Sequence, residues 1–212
     1  MLPLFLLLLW PILIFIIFNL FLLPFRFTLK SVFDLITIPF EIIRIALNKR
    51  LRQNHALEHA TINVIQEYYG ENHLLSGLAK ENGFYVKGPV NPAVIEQAAR
   101  IGLNRLIAGD SYLAIHERCG TSIAAANFIF SLIFMILLIR FGFFNILNIL
   151  LAMIFANMIG PFFGKFMQKY LTTTTDVADV EIVGVEYSYP QHIGFFLVNA
   201  VSVECFVKTR VF

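Results

Sequence analysis

Long uninterrupted runs of apolar residues dominate this chain and predict three membrane-spanning helices. Residues 2–23 carry no charged side chain, and a run of this length crosses a hydrocarbon layer about 30 Å thick. Residues 124–139 and 146–163 form two more uncharged runs, separated by a short turn. The first run lacks a basic leader and a small-residue cleavage site, so we expect an anchor rather than a cleaved signal. The other two runs are expected to form a membrane hairpin.

Between the first run and the hairpin, the pattern changes to shorter, mixed segments. Residues 31–48 are apolar but include Asp34, Glu41 and Arg44, which favours a helix lying at the membrane interface. Residues 48–69 have the spacing of an amphipathic helix that ends at Gly70. A second helix is predicted from Asn91-Pro92 to about residue 108, because asparagine and proline are typical of a helix start.

Alternating or short apolar segments predict strands at residues 83–88, 112–116, 180–187 and 201–208. Residues 71–82 are expected to be a loop. The predicted fold class is therefore an α+β membrane protein with about three transmembrane helices, an interfacial helix and a small cytosolic α/β domain. The expected organisation follows the chain: an anchor at 1–24, an interfacial helix at 25–48, an insert at 49–120, a hairpin at 121–165 and C-terminal strands at 166–212.

Composition supports a membrane protein and charge predicts its orientation. Of the 212 residues, 58% are hydrophobic and 14% are charged, against about a quarter charged in soluble domains. Basic residues are frequent in 25–120, whereas the turn of the hairpin holds only Arg140. The positive-inside rule then places the central domain and the C-terminus in the cytoplasm, at the cell membrane. The lipid bilayer is the expected partner. No recognition motif points to nucleic acid.

The predicted helix at 48–69 carries a candidate metal motif. His55 and His59 are four residues apart, so their side chains share one face of a helix. With Glu58 between them they form H-x-x-E-H, the reversed zinc motif, in which both imidazoles bind one metal ion. Glu58 shares this face and is the candidate catalytic residue, acting as general base on water.

A second motif follows about sixty residues later. His116 and Cys119 are three residues apart just before the hairpin, and imidazole and thiolate are both ligands that suit zinc. We therefore predict a zinc site formed by His55, His59, His116 and Cys119. Glu67, His73 and His192 are weaker candidates, since solvated side chains are the usual reading at such positions.

The two motifs together resemble a known family. Residues 55–62 read HALEHATI and residues 116–122 read HERCGTS. They resemble an uncharacterised bacterial membrane-protein family defined only as a domain of unknown function, and the YqhQ-like membrane proteins, over about residues 50–130. The resemblance implies a metal-associated integral membrane protein and supplies no established reaction. Reversed-motif peptidases share only the five residues and use a downstream glutamate as third ligand, where His116 or Cys119 would stand here.

The number of ligands separates two possible functions. Three ligands leave a position open for catalysis, which favours a zinc-dependent membrane hydrolase, with a protease acting on membrane-associated peptides or proteins as its leading form. Four ligands close the site, and the alternative is a non-catalytic membrane scaffold or regulator with a structural His/Cys site. Glu58 favours the open site because a structural cage has no chemical need for a general base.

Overall fold

The chain folds into a bundle of long apolar helices joined to a small α/β unit. A computed structural model describes residues 2–70, 75–141, 146–188 and 203–212. Its regular elements, in chain order, are α1 (Leu2–Ala46), α2 (Lys49–Tyr69), β1 (Ser76–Lys80), β2 (Gly83–Gly88), α3 (Pro92–Ala108), a 3₁₀ helix (Ser111–Ala114), α4 (Gly120–Phe141), α5 (Ile146–Met167), a π-helical turn (Gln168–Thr172), β3 (Val180–Ser188) and β4 (Val203–Val211).

Three helices, α1, α4 and α5, are long and apolar enough to cross a membrane, as the apolar runs predict. Helices α4 and α5 approach closely through small residues. A Cβ atom on Gly160 would lie 2.7 Å from the Cβ atom of Ala126, and one on Gly164 would lie 2.7 Å from Ser122 Oγ. The hairpin therefore depends on glycine at these crossings, as expected for helices that pack in lipid.

Helix α1 differs from the predicted anchor and interfacial helix, because both segments form one continuous helix. The charged residues that suggested a break are accommodated along it, since Lys30 pairs with Asp34 one turn away and Arg44 lies 3.5 Å from Glu41. At 1.5 Å per residue such a helix is about 68 Å long. It therefore extends well beyond one hydrocarbon layer.

The predicted boundaries of α2 and α3 are confirmed, and both follow from local capping. The Asn48 side chain accepts a hydrogen bond from the Leu51 amide at the start of α2, and Gly70 follows its last residue. Asn91 caps α3 in the same way, and Gly109 ends it in the left-handed conformation. These two helices cross closely, because a Cβ atom on Gly102 of α3 would lie 3.0 Å from the Cβ atom of Ala60 of α2.

A four-stranded antiparallel sheet covers one side of α2. Its strand order is β1-β2-β4-β3, so β1 and β3 are the edges. The inner face is apolar and belongs to the same core as the buried side of α2, with Phe84, Val86, Cys205 and Val207 all buried. The small sheet predicted from the alternating segments is therefore present.

Two predicted elements are wrong. Residues 71–82 were expected to be a loop, yet β1 occupies Ser76–Lys80 and pairs with β2 through a two-residue turn. Residues 112–116 were expected to be a strand, yet Ser111–Ala114 is a 3₁₀ helix. The carbonyls of this segment accept hydrogen bonds from side chains of α2 instead of from a neighbouring strand.

Candidate metal centre

One face of α2 supplies the two histidines and the glutamate of the first motif. His55, Glu58 and His59 are all buried, and the ring centroids of the two histidines are 4.4 Å apart. The α2 helix is fixed in place at its first turns by polar side chains. Asn54 donates hydrogen bonds to the Lys80 and Glu81 carbonyls at the end of β1, and its Oδ1 atom accepts one from Thr209 of β4.

Cys119 is the residue just before α4, and its side chain extends to the two histidines. Its Sγ atom lies 3.2 Å from His55 Nε2. One ligand atom each from His55, His59 and Cys119 lie within 4.8 Å of one another. A tetrahedral zinc ion with ordinary Zn–N and Zn–S bonds needs ligand atoms about 3.4–3.8 Å apart. This trio therefore matches the donor types and the approximate spacing of a zinc site.

His116 lies beside the trio but outside it. Its ring centroid is 6.0 Å from that of His59. Its nitrogen atoms do not belong to the group of ligand atoms that lie within 4.8 Å of one another. The structure thus brings three of the four predicted metal residues into one group and places the fourth at its border.

All three imidazoles are oriented in the same way. In each ring Nδ1 lies against an oxygen atom that only accepts, so Nδ1 carries a proton and Nε2 is the nitrogen left for a ligand. The pairs are His55 with the Thr172 carbonyl (2.9 Å), His59 with the Ala114 carbonyl (2.7 Å) and His116 with Asn63 Oδ1 (2.9 Å). Metal-binding histidines are commonly oriented by such a hydrogen bond to the second nitrogen.

Two of the Nε2 atoms have no hydrogen-bond partner among the described residues. These are the Nε2 atoms of His59 and His116, and both are buried. Leaving a buried polar group unpaired costs on the order of 1–3 kcal/mol. Because His59 Nε2 belongs to the ligand trio, a cation bound there would give this lone pair its missing partner.

The protonation states also suit metal binding. Burial lowers the pKa of His59 well below its ordinary value, and burial together with nearby Arg118 lowers the pKa of His116. Both rings are therefore neutral near pH 7. Burial raises the pKa of the Cys119 thiol, while the Thr121 amide, which donates to Sγ, lowers it. A bound dication favours the thiolate and would offset this burial.

Glu58 lies against the edge strand of the sheet. A Cβ atom on Gly77 would overlap the Glu58 carboxyl group, so only glycine leaves room for it. Burial raises the pKa of Glu58 to about 8, with Cys119 adding to the rise, while His55 and the Ala79 backbone lower it. A carboxyl group with a pKa near the working pH is suited to take up and release protons.

The centre opens to the surface through a cavity of about 580 Å³. Glu58, His55 and Cys119 are part of its wall. Strand β1 forms one side, and the end of α1 and the start of α4 form the other, through Arg44 and Thr121. The buried carboxyl group and two of the three candidate ligands are thus accessible from the same opening.

Two residues that position the site were missed in the sequence. Asn63 donates to the Leu113 and Ile115 carbonyls while accepting from His116. It is four residues after His59, so the helical spacing that identified the histidines also leads to it. Gln168 exchanges hydrogen bonds with the His116 backbone and donates to Ser122. No local pattern identifies it, because its partners are far away in the chain.

Of the weaker candidates, Glu67 takes no part in the group. Glu67 pairs with Arg105 at the protein surface and accepts from Tyr112 at 3.3 Å. His73 and His192 lie outside the described residues.

Comparison with known proteins supports a family but no activity. A family model described as a domain of unknown function, DUF6391, matches residues 50–185. An uncharacterized protein from Picosynechococcus sp. is 39% identical over 85 residues, which are 35% of this chain and 40% of the relative. The match therefore spans less than half of that relative's length. No solved structure matches the chain. The matched region contains both motifs, nearly all of α2, the hairpin, strands β1 and β2 and the first part of β3, and the chain belongs to the DUF6391 family.

Proposed function

We propose that this chain is a zinc-dependent integral membrane hydrolase that acts as a protease at the membrane surface. The observation that carries the proposal is the position of Glu58, whose buried carboxyl group shares one cavity with His55 and Cys119. A site that only holds the fold together needs ligands, and it has no need of a buried carboxyl group at the mouth of a cavity.

In this proposal His55, His59 and Cys119 hold the metal. When bound, zinc supplies a Lewis acid that polarises a carbonyl and lowers the pKa of water. Glu58 accepts a proton from the attacking water and then delivers it to the leaving nitrogen atom of the cleaved amide. The hydrogen bonds to Thr172 and Ala114 keep the two imidazoles aimed at the centre.

The test is to compare Glu58→Gln with the parent protein, purified as the full chain in detergent. We expect the parent to contain zinc by elemental analysis and to cleave peptides. Glu58→Gln should keep the metal and lose at least about 100-fold in hydrolysis, since general-base catalysis contributes that much or more. His59→Ala should lose the metal. Glu67→Gln, which removes a carboxylate of the same helix outside the site, is the control and should retain both properties.

An active Glu58→Gln variant, or a parent protein that takes up no metal, would rule out this mechanism. The first result would remove Glu58 from the chemistry, and the second would remove the centre itself.

One observation favours a second candidate, a non-catalytic scaffold with a closed site. His116 Nε2 is buried, has no partner among the residues that the structure describes and borders the trio, so rotation of this ring inward would supply a fourth ligand. X-ray absorption of the zinc-loaded protein separates the two. A shell of three nitrogen atoms and one sulfur that loses a nitrogen in His116→Ala supports the scaffold, whereas an unchanged shell supports the open site.

We also propose that the α/β unit and the C-terminus face the cytoplasm of the cell membrane. The support is the excess of lysine and arginine in the residues that flank the apolar helices on that side. The cavity then opens at the cytoplasmic surface of the bilayer.

A further inference from the structure

Strand β1 has an outer edge that no other strand covers in the part of the chain that the structure describes. It is the first strand of the order β1-β2-β4-β3. Four of its five residues are exposed, and the fifth is half-buried. Uncovered edges are sites where another chain pairs with a sheet.

The ladder shows which backbone groups face that edge. The Thr209 amide donates to the Asn82 carbonyl, and in the β2–β4 register this makes Phe84 and Val86 the residues bonded to β4. Because bonded and non-bonded pairs alternate in an antiparallel ladder, the residues between them are bonded to β1. Their partners in β1 are Ser76, Leu78 and Lys80. The N–H and C=O groups of Gly77 and Ala79 therefore point outward, and the Ala79 N–H already donates to the Glu58 carboxyl group.

These outward groups border the candidate catalytic residue. Gly77 lies directly against the Glu58 carboxyl group, and Gly77 and Ala79 line the same cavity as Glu58, His55 and Cys119. An extended chain lying about 4.8 Å outside β1 would thus run along the cavity and past the metal ligands.

We propose that the substrates are polypeptide segments that bind in extended conformation as an added strand on the outer edge of β1. This inference rests on the proposed function and names its substrate class. The backbone of the bound segment pairs with the N–H and C=O groups of Gly77 and with the C=O group of Ala79, which places one of its peptide bonds over Glu58. Backbone pairing gives affinity with little dependence on side-chain identity.

The other wall of the cavity indicates where such segments come from. It is built from the end of α1 and the first residues of α4, including Arg44 and Thr121, and both helices are apolar enough to span a membrane. The rim carries charges of both signs, among them Glu41, Lys80 and Glu81, so it selects neither acidic nor basic chains. The segments are therefore those that lie at the membrane surface.

Amide hydrogen exchange tests the pairing without requiring hydrolysis. The probe is a library of random octapeptides, added in excess to the zinc-loaded full-length Glu58→Gln protein in detergent. We expect exchange at the Gly77 amide to slow by about 3- to 10-fold, the effect of one added hydrogen bond. Leu78 and Lys80 are the internal controls and should not change, because their amides already bond to β2. Unchanged exchange at Gly77 would overturn the proposal.

A backbone scan tests the same pairing during turnover by the parent protein. One octapeptide from the cleaved pool is resynthesised with a single N-methyl group at each peptide bond in turn. We expect kcat/KM to fall at every second position outside the cleaved bond, because alternate amides of an added strand face β1. If an N-methyl group at every position leaves cleavage normal, the strand pairing is overturned and the proposed hydrolase is not. Slowed exchange with no cleavage of any peptide would overturn the proposed hydrolase and leave the pairing in place.

Discussion

At the residue scale, the histidines are held in a form that is ready for a ligand. Each Nδ1 atom is committed to an oxygen atom, and for His59 and His116 this leaves a buried Nε2 atom with no partner in the described part of the chain. The protein accepts this energetic cost at two adjacent rings. Clustering of such energetic costs is typical of functional sites, where the rest of the fold offsets the local destabilisation.

The raised pKa of Glu58 gives a pH dependence to the stability of the metal-free protein. Its pKa is about 8 in the folded chain against 4.5 ordinarily, so the folded state binds more protons between these values. Stability therefore falls as pH rises from about 4.5 to about 8, by up to about 1.4 kcal/mol per pH unit. Glu58→Gln lacks this group, and we expect its stability to exceed that of the parent increasingly over this range.

Thermal unfolding in detergent with a chelator, at about pH 5 and pH 8, measures this difference. The lowered pKa values of His59 and His116 act in the opposite sense, because stability is lost as pH falls below their ordinary value of 6.5. Both variants share that contribution, so it cancels in the comparison. A constant difference between parent and variant at the two pH values would contradict the assigned burial of Glu58.

At the scale of elements, α2 connects the sheet, the helical hairpin and the site. Its side chains bond to the β1–β2 turn through Asn54, to the 3₁₀ helix through Asn63 and, through Arg52 and Gln53, to the Thr173 and Asp176 carbonyls between the π-helical turn and β3. The same helix carries both histidines and Glu58. Displacing α2 would therefore separate His55 and His59 from Cys119, which lies at the start of α4.

The close crossing of α4 and α5 sets the position of Cys119 relative to Gln168. We expect Gly160→Leu to destabilise the protein by about 1–3 kcal/mol, because the added side chain meets the Ala126 backbone as well as its Cβ atom. Metal content should also fall, since the start of α4 and the end of α5 are forced apart. Thermal unfolding and elemental analysis measure the two effects. Met158→Leu changes an exposed residue of the same helix and should be neutral.

If Gly160→Leu bound zinc and unfolded like the parent, the contact between the two helices would not be what positions the thiol. The segment before α4 would then be sufficient to position Cys119.

At the scale of the whole molecule, the apolar helices and the α/β unit meet at the cavity. The candidate metal group combines His55 and His59 of α2 with Cys119, the residue that precedes α4. The Thr172 carbonyl, in the π-helical turn after α5, orients His55. The site thus depends on the contact between the apolar helices and the α/β unit. Its placement at the ends of spanning helices is what links the proposed chemistry to the membrane surface.

The proposed orientation predicts which residues are accessible from outside the cell. Asn104 lies exposed on α3, and Arg140 lies exposed at the far end of α4. In intact cells a membrane-impermeant maleimide should label Arg140→Cys and leave Asn104→Cys unlabelled until the membrane is permeabilised. Both native cysteines are buried and free, so background labelling should be low. Labelling of Asn104→Cys in intact cells would reverse the orientation.

Local signals in the sequence determined the helices well, because their causes lie within a few residues. Capping by Asn48 and Asn91 and the stops at Gly70 and Gly109 identify α2 and α3. Uninterrupted apolar runs identify the three long helices. Strand β1 was missed although Asn82-Gly83 is a strong hairpin signal. The strand predicted at 112–116 failed because side chains of α2, distant in sequence, satisfy its carbonyls.

By itself the sequence determined the long apolar helices, the residue types of a candidate metal site and their helical spacing, since these depend on composition and on short-range periodicity. Only the tertiary structure decided that Cys119 joins His55 and His59 while His116 stays at the border. It also decided that Glu58 lies against Gly77 of strand β1. These facts depend on how α2 packs against β1, the hairpin and the π-helical turn, and contacts between residues far apart in the chain leave no local pattern.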